Sequence, residues 1–181
     1  MIIDNTTLKD CFVVIPDVFE DSRGCFYESF NKANFEKTTG LSVDFVQDNL
    51  SKSVRGVLRG LHFQTGNYEQ AKLVRVIKGS VWDVCVDLRK ESSTFGQYFS
   101  IILDDIKHKQ LFIPRGFAHG FLVLEEETIF AYKCDNYYHK PSEKGIIFND
   151  KTLNIHWNFP EEQMILSEKD RQLPTFETLF Q

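Results

Sequence analysis

The stretch KLVRVIKGSVWDVCVDLR, Lys72 to Arg89, decides the fold class. Two short valine-rich runs meet at a Lys-Gly-Ser break, and each has the length and β-branched content of a pleated strand rather than a helix. Side chains two apart share one face of a strand. Lys72 therefore lies with Val74 and Val76, and Asp83 lies with Val81, Cys85 and Asp87. An aspartate at an inward strand position is costly unless it is paired. Asp83 therefore calls for a partner, either as a buried core acid or as part of a site.

The same pattern recurs on both sides of this stretch. CFVVIP, CFYESF, VDFVQDN, GVLRGLHFQ, GQYFSIIL, KQLFIP, AHGFLVLE and ETIFAYKCDNYY all read as strands, separated by turn clusters such as EDSRG, TGNYEQ, RKESSTFG, DDIKHK and PRGFAHG. NKANFEKTTG reads as a helix, with Asn31 as its N-cap and Gly40 as its stop. In LSEKDRQLPTFETLF, Ser167 can cap a turn or two before Pro174 interrupts. Roughly ten short strands without βαβ alternation or an internal repeat imply an all-β fold, an antiparallel sandwich or jelly roll with a few short helices, and ligands bind at the mouth of such a barrel.

Composition agrees. The 181 residues suffice for one domain, residues 1–181, and 26% charged against 42% hydrophobic residues is the balance of a globular chain. Seventeen phenylalanines favour sheet surfaces and barrel interiors. The net charge of −5, with basic residues scattered, excludes a duplex-binding stripe, so no nucleic acid is expected as a partner. No stretch approaches the roughly 20 apolar residues of a membrane span, and no leader pattern opens the chain, so no membrane association and a cytoplasmic location are expected. Cys11, Cys25, Cys85 and Cys134 form no CxxC and read as reduced packing residues.

GVLRGLHFQ, Gly56 to Gln64, poses a separate question. Arg59 and His62 are three apart, so a regular strand would send them to opposite faces. Gly60 offers a bulge that would bring both into one pocket. Arg59, His62, Lys72, Asp83, His119 and Tyr132 all fall in strand-like segments, and titratable groups converging in one barrel are the physical mark of a site.

The blocks FEDSRGCFYESF, FVQDNLSKS, GVLRGLHFQ, KLVRVIKGSVWDVCVDLRKESSTFG, LFIPRGFAHGFLVL, YKCDNYY and LSEKD together resemble the dTDP-4-dehydrorhamnose 3,5-epimerases, from about residue 18 to residue 170. The resemblance implies a cupin-like jelly roll, a double-stranded β-helix barrel. It also implies an isomerase that converts dTDP-4-dehydro-6-deoxy-D-glucose into dTDP-4-dehydro-L-rhamnose without a cofactor. Such chemistry needs a base beside a C4 ketone, a cation for the enolate and an acid on the opposite face. The resemblance gives these roles to His62, Lys72 and Tyr132, and makes Asp170 the dyad partner of His62. The residues alone leave Asp83 open as that partner.

For the nucleotide sugar, the resemblance implies diphosphate contacts from Arg23 and Arg59. Further substrate contacts come from Glu28, Gln47, Asp48, Asn49, Lys72, His119, Glu143 and Lys169, and Tyr138 stacks on thymine. It implies a homodimer in which Arg23 and Glu28 reach the neighbour's site. Phe148 stands where a tryptophan is common in the family, an exchange expected to affect packing. Many cupins hold a metal, and Pro114, Gly116 and His119 give the PxGxxH spacing, yet Gln64 replaces the second histidine of HxH, so no metal is expected. Two other readings stay open: an epimerase acting at C3 alone on a related sugar, and a non-catalytic nucleotide-sugar-binding module.

Overall fold

A computed structural model describes residues 1–180. In chain order it contains β1 (Ile2–Asn5), β2 (Phe12–Ile15), β3 (Phe19–Asp21), β4 (Gly24–Phe26), α1 (Lys32–Thr39), β5 (Gln47–Ser53), β6 (Leu58–Gln64), β7 (Lys72–Lys78), β8 (Ser80–Asp87), β9 (Tyr98–Asp104), β10 (Gln110–Ile113), β11 (Phe117–Val123), β12 (Thr128–Cys134), β13 (Glu143–Gly145), α2 (Glu168–Arg171) and α3 (Phe176–Phe180). A six-stranded sheet runs β1-β2-β10-β7-β12-β5 and a five-stranded sheet runs β13-β6-β11-β8-β9, with every pairing antiparallel. From β5 onward the chain crosses between the two sheets at nearly every connection, which makes the sandwich a jelly roll.

Three apolar layers follow from this topology. Val74, Val76, Leu111 and Phe130 from the six-stranded sheet meet Val81, Cys85, Phe121 and Val123 from the five-stranded one in the barrel interior. The outer face of the five-stranded sheet is not left to water. Val84, Val86, Ala118 and Leu122 are covered by Phe148, Leu153, Trp157 and Phe176 of the C-terminal segment. This explains why seven of the eight residues of β8 are buried, where an exposed antiparallel sheet would alternate. Phe148 is one of these packing residues, and its carbonyl accepts the Trp157 indole N–H at 2.8 Å. The third layer seats Phe35 of α1 on Phe12, Leu73 and Phe112.

The caps behave as their residue types require. The Asn31 side chain accepts the Asn34 N–H, and Gly40 closes α1 with φ of 71°. Ser167 accepts the Asp170 N–H to cap α2, and Pro174 separates α2 from α3.

Several strand boundaries differ from the sequence expectation. CFYESF contributes only its first two residues to β4, because Tyr27 leaves the ladder to stack on His108 with ring centroids 4.6 Å apart. VDFVQDN enters its strand only at Gln47, and β5 continues through a polar run to Ser53 that the seven-residue register with β12 holds in place. β1, β3 and β13 are short strands that alternation does not reveal.

Candidate active site

Gly60 makes the site possible. In the β6–β11 ladder His62 pairs with His119 and Arg59 pairs with Phe121, so three steps along β6 match two along β11. The extra residue is a bulge at Gly60, whose φ is 113°. A Cβ at Gly60 would meet the Gly120 Cα and the His119 carbonyl oxygen at 2.6 Å, so only glycine fits the crossing. Beyond the bulge the alternation resets, and Arg59 and His62 line one cavity of about 760 Å³.

His62 stands on the five-stranded sheet with Asp170 against it, the His62 Nε2 and Asp170 Oδ1 lying 2.6 Å apart. The chain brings Asp170 there by laying Ile165 beside β6: the Leu58 N–H donates to the Ile165 carbonyl at 3.0 Å, and the Ile165 N–H donates to the Gly56 carbonyl at 2.8 Å. α2 starts immediately afterwards. Burial pushes the Asp170 carboxyl upward, but the His62 ring, the Ser167 hydroxyl and the Gly60 N–H together hold it below the ordinary carboxylate range. Asp170 is thus an anion clamped to one imidazole nitrogen. Nδ1 is the ring nitrogen left free of it.

Across the cavity, on the six-stranded sheet, stand Lys72 and Tyr132. The Lys72 ammonium lies 5.9 Å from the centroid of the Tyr132 ring. Burial lowers the Lys72 pKa, opposed in part by the acidic groups Cys134, Asp83 and Glu143. Burial also raises the Tyr132 phenol above its usual value, so it holds its proton at neutral pH.

Asp83 does not serve His62. It receives His119 instead, the His119 Nε2 lying 2.9 Å from Asp83 Oδ2, and both side chains are buried. Two histidines that face each other across the β6–β11 ladder thus each have an aspartate of their own. Among the described residues no three His, Cys, Asp or Glu side chains converge on a point.

The mouth of the cavity is polar. The Tyr138 hydroxyl donates to Glu143 Oε2 at 3.0 Å, the Lys169 ammonium pairs with the same carboxylate, and the Tyr138 N–H donates to Gln47 Oε1 at 3.0 Å. The Arg59 Nη2 donates to Ser53 Oγ at 3.2 Å and leaves most of its fork free. Gln47 and Asn49, two apart on β5, face the cavity together.

Three residues expected at the site are not brought into this cavity. Asp48 lies between Gln47 and Asn49, so strand alternation turns it to the outer face, where Lys133 pairs with it at 2.9 Å. Arg23 is exposed at the tip of the β3–β4 hairpin and pairs with Asp21. Glu28 lines a separate hollow beside α1 and accepts from Asn31 Nδ2 at 2.9 Å. Conversely, Gln64, Gln70, Cys134 and Ser167 line the cavity without having been expected there. Cys134 was within reach of alternation, being two residues from Tyr132 and opposite Lys72.

Residues 5–178 match the family described as dTDP-4-dehydrorhamnose 3,5-epimerase. The chain is 49% identical to the dTDP-4-dehydrorhamnose 3,5-epimerase of Escherichia coli K12 over 180 residues, covering 99% of this chain and 96% of that protein. It superposes on the crystal structure of the Elizabethkingia anophelis enzyme of that name with a TM-score of 0.95 and 54% identity, covering 98% and 97% of the two chains. A 3,5-epimerase from Legionella pneumophila, solved in complex with dTDP-4-keto-L-rhamnose, matches with a TM-score of 0.93 and 46% identity over 97% and 92%.

Proposed function

The chain belongs to the dTDP-4-dehydrorhamnose 3,5-epimerase family, and on that footing we propose that it inverts C3 and C5 of dTDP-4-dehydro-6-deoxy-D-glucose to give dTDP-4-dehydro-L-rhamnose. One observation carries the mechanism: the His62–Asp170 pair on one sheet and Tyr132 with Lys72 on the other face a single cavity. Inversion removes a proton from one face of the sugar and returns one to the other, and two facing sheets supply the two faces.

The C4 ketone makes the C–H bonds at C3 and C5 acidic, because their electron pair can pass to the carbonyl oxygen as an enolate. His62 takes the proton on Nδ1, and the clamped Asp170 carboxylate fixes the ring and stabilises the imidazolium. The Lys72 ammonium faces the oxygen on which charge develops. Tyr132 delivers its proton to the opposite face and regains one from solvent, while His62 releases its own. Electrons return to where they began, so the ketone itself is the electron sink and no redox cofactor is required.

The nucleotide lies toward the polar mouth in this reading. Arg59 grips the diphosphate, Tyr138 offers its half-exposed ring to thymine, and Gln47, Asn49, His119, Glu143 and Lys169 complete the contacts. We assign Arg23 and Glu28 to the site of a second copy. The β3–β4 hairpin supports this, since Phe19 and Phe26 pair across it with 66% and 69% of their surface exposed beside a still more exposed Arg23. A homodimer with sites completed across the interface would cover all three side chains. Four cysteines without a disulfide accord with a cytoplasmic location, and no described helix is long and apolar enough to cross a membrane.

The deciding experiment follows deuterium by NMR in D₂O with dTDP-4-keto-6-deoxy-D-glucose. Label at both C3 and C5, lost in His62→Ala, supports the 3,5-epimerase. Label at C3 alone assigns the chain to single epimerisation, and no label leaves a binding module.

A further inference from the structure

We propose that Asp83 is a positioning residue of this site, the counter-anion of the Lys72 ammonium, which it faces from the floor of the barrel while also holding His119. The inference deepens the reading above and rests on it for the role of Lys72. Its physical basis is a buried carboxylate with one oxygen unpaired and an ammonium without an ion pair, on the inward faces of two facing sheets.

Asp83 is fully buried among Val81, Cys85 and Phe121. One carboxylate oxygen takes the His119 ring; the other, Oδ1, has no hydrogen-bond partner among the described residues. A half-satisfied carboxylate in an apolar interior is a steep cost, and packing alone would be met better by a valine or leucine of similar volume. Lys72 is the complementary case. It projects from β7 of the facing sheet into the cavity that His119 also lines, and its ammonium makes no ion pair or hydrogen bond among the described residues.

The groups that face Lys72 narrow the choice of counter-charge. Tyr132 and Cys134 line the cavity from β12, His119 from β11, His62 from β6, Glu143 from β13 and Asp170 from α2, and Asp83 of β8 stands behind His119 on the same inward face; Asp170 is taken by His62. Burial pushes the Cys134 thiol up to about 11, so it is neutral at pH 7. Tyr132 is likewise protonated. Glu143 is already engaged by Lys169 and by the Tyr138 hydroxyl. His62 and His119 carry no negative charge. Asp83 is the carboxylate that keeps one oxygen, Oδ1, without a partner.

The test is a ¹³C NMR titration of the ligand-free protein labelled in its lysines, with the Lys72 signal identified by its loss in Lys72→Gln. Removing the anion removes what favours the charged amine, so Asp83→Asn is expected to lower the Lys72 midpoint by about one unit, with a smaller fall in Glu143→Gln. In turnover, the same Asp83→Asn protein is expected to lose about 10-fold to 100-fold in kcat with KM little changed, and its alkaline limit is expected to move to lower pH. A folded Asp83→Asn protein with an unmoved Lys72 midpoint overturns the proposal. Should that variant fail to fold, Lys72→Met reads the same coupling in reverse, because the Asp83 carboxyl midpoint must then rise, and a stationary one overturns it equally. Neither titration depends on turnover, so a wild-type protein that washed in no deuterium would sink the epimerase reading while leaving this coupling measurable.

Discussion

His62 and Tyr132 divide between them what a single acid–base group cannot do, because one side chain reaches only one face of a sugar ring. Tyr132→Phe keeps the ring and its contacts and removes only the proton. The variant is expected to lose on the order of 10² to 10⁴-fold in product formation while still exchanging label through His62, measured as deuterium in recovered substrate. Asp87, at the far end of the strand that carries Asp83, shows what the same residue type does when fully satisfied. Burial would raise its carboxyl, but Arg89, Ser92 and Thr94 hydrogen-bond it down to about 2. A depressed carboxylate contributes its stability above the unfolded value near 3.8 and loses it as pH falls toward 2, so Asp87 stabilises the fold by about 2 kcal/mol at neutral pH. Urea unfolding of Asp87→Asn is expected to show that loss at pH 7 and a flatter decline between pH 4 and pH 2.

At the scale of elements, the β6–β11 crossing governs the site. Its two glycines, Gly60 and Gly120, let the backbones touch: a Cβ at Gly120 would lie 2.8 Å from the Arg59 carbonyl oxygen. Gly60→Ala combines that clash with a φ that side chains avoid, and is expected to destabilise the protein by about 2 to 4 kcal/mol. A thermal melt should place its midpoint roughly 5 to 15 °C lower, and surviving folded protein should epimerise poorly because Arg59 and His62 lose their common pocket. The glycine in GVLRGLHFQ was legible as a bulge because nothing else in the strand reconciled two neighbouring charged or titratable side chains with one face. The polarity of β5 was harder to read. Nothing in QDNLSKS says which alternate set faces inward until β12 fixes the register, and the resemblance, which implied Gln47, Asp48 and Asn49 together, did not separate them either.

For the molecule as a whole, the test is whether one chain makes a complete site. Arg23 and Glu28 lie outside the cavity of their own chain. If a second copy receives them, mixing Arg23→Ala with His62→Ala protomers restores activity, because half the dimers are mixed and each mixed dimer holds one intact site, about a quarter of the wild-type value. Sedimentation should give a dimer for both variants. Unmixed activities that simply average, with no restoration, would remove the shared site from the account.

The sequence by itself determined what depends on neighbours along the chain. Strand periodicity put Lys72 beside Val74 and Val76, Asp83 beside Val81 and Cys85, and the helix caps at Asn31 and Ser167, since alternation and capping act over a few residues. Likeness to a family supplied Asp170, but the residues alone left Asp83 as an equal candidate for His62. Only the tertiary structure decided between them. His62 and Asp170 are separated by 108 positions, and they meet because Ile165 docks on β6, whereas Asp83 turns to the histidine on the adjacent strand. Partners so distant in sequence are chosen by how two sheets and a C-terminal segment pack, and no local pattern encodes that packing.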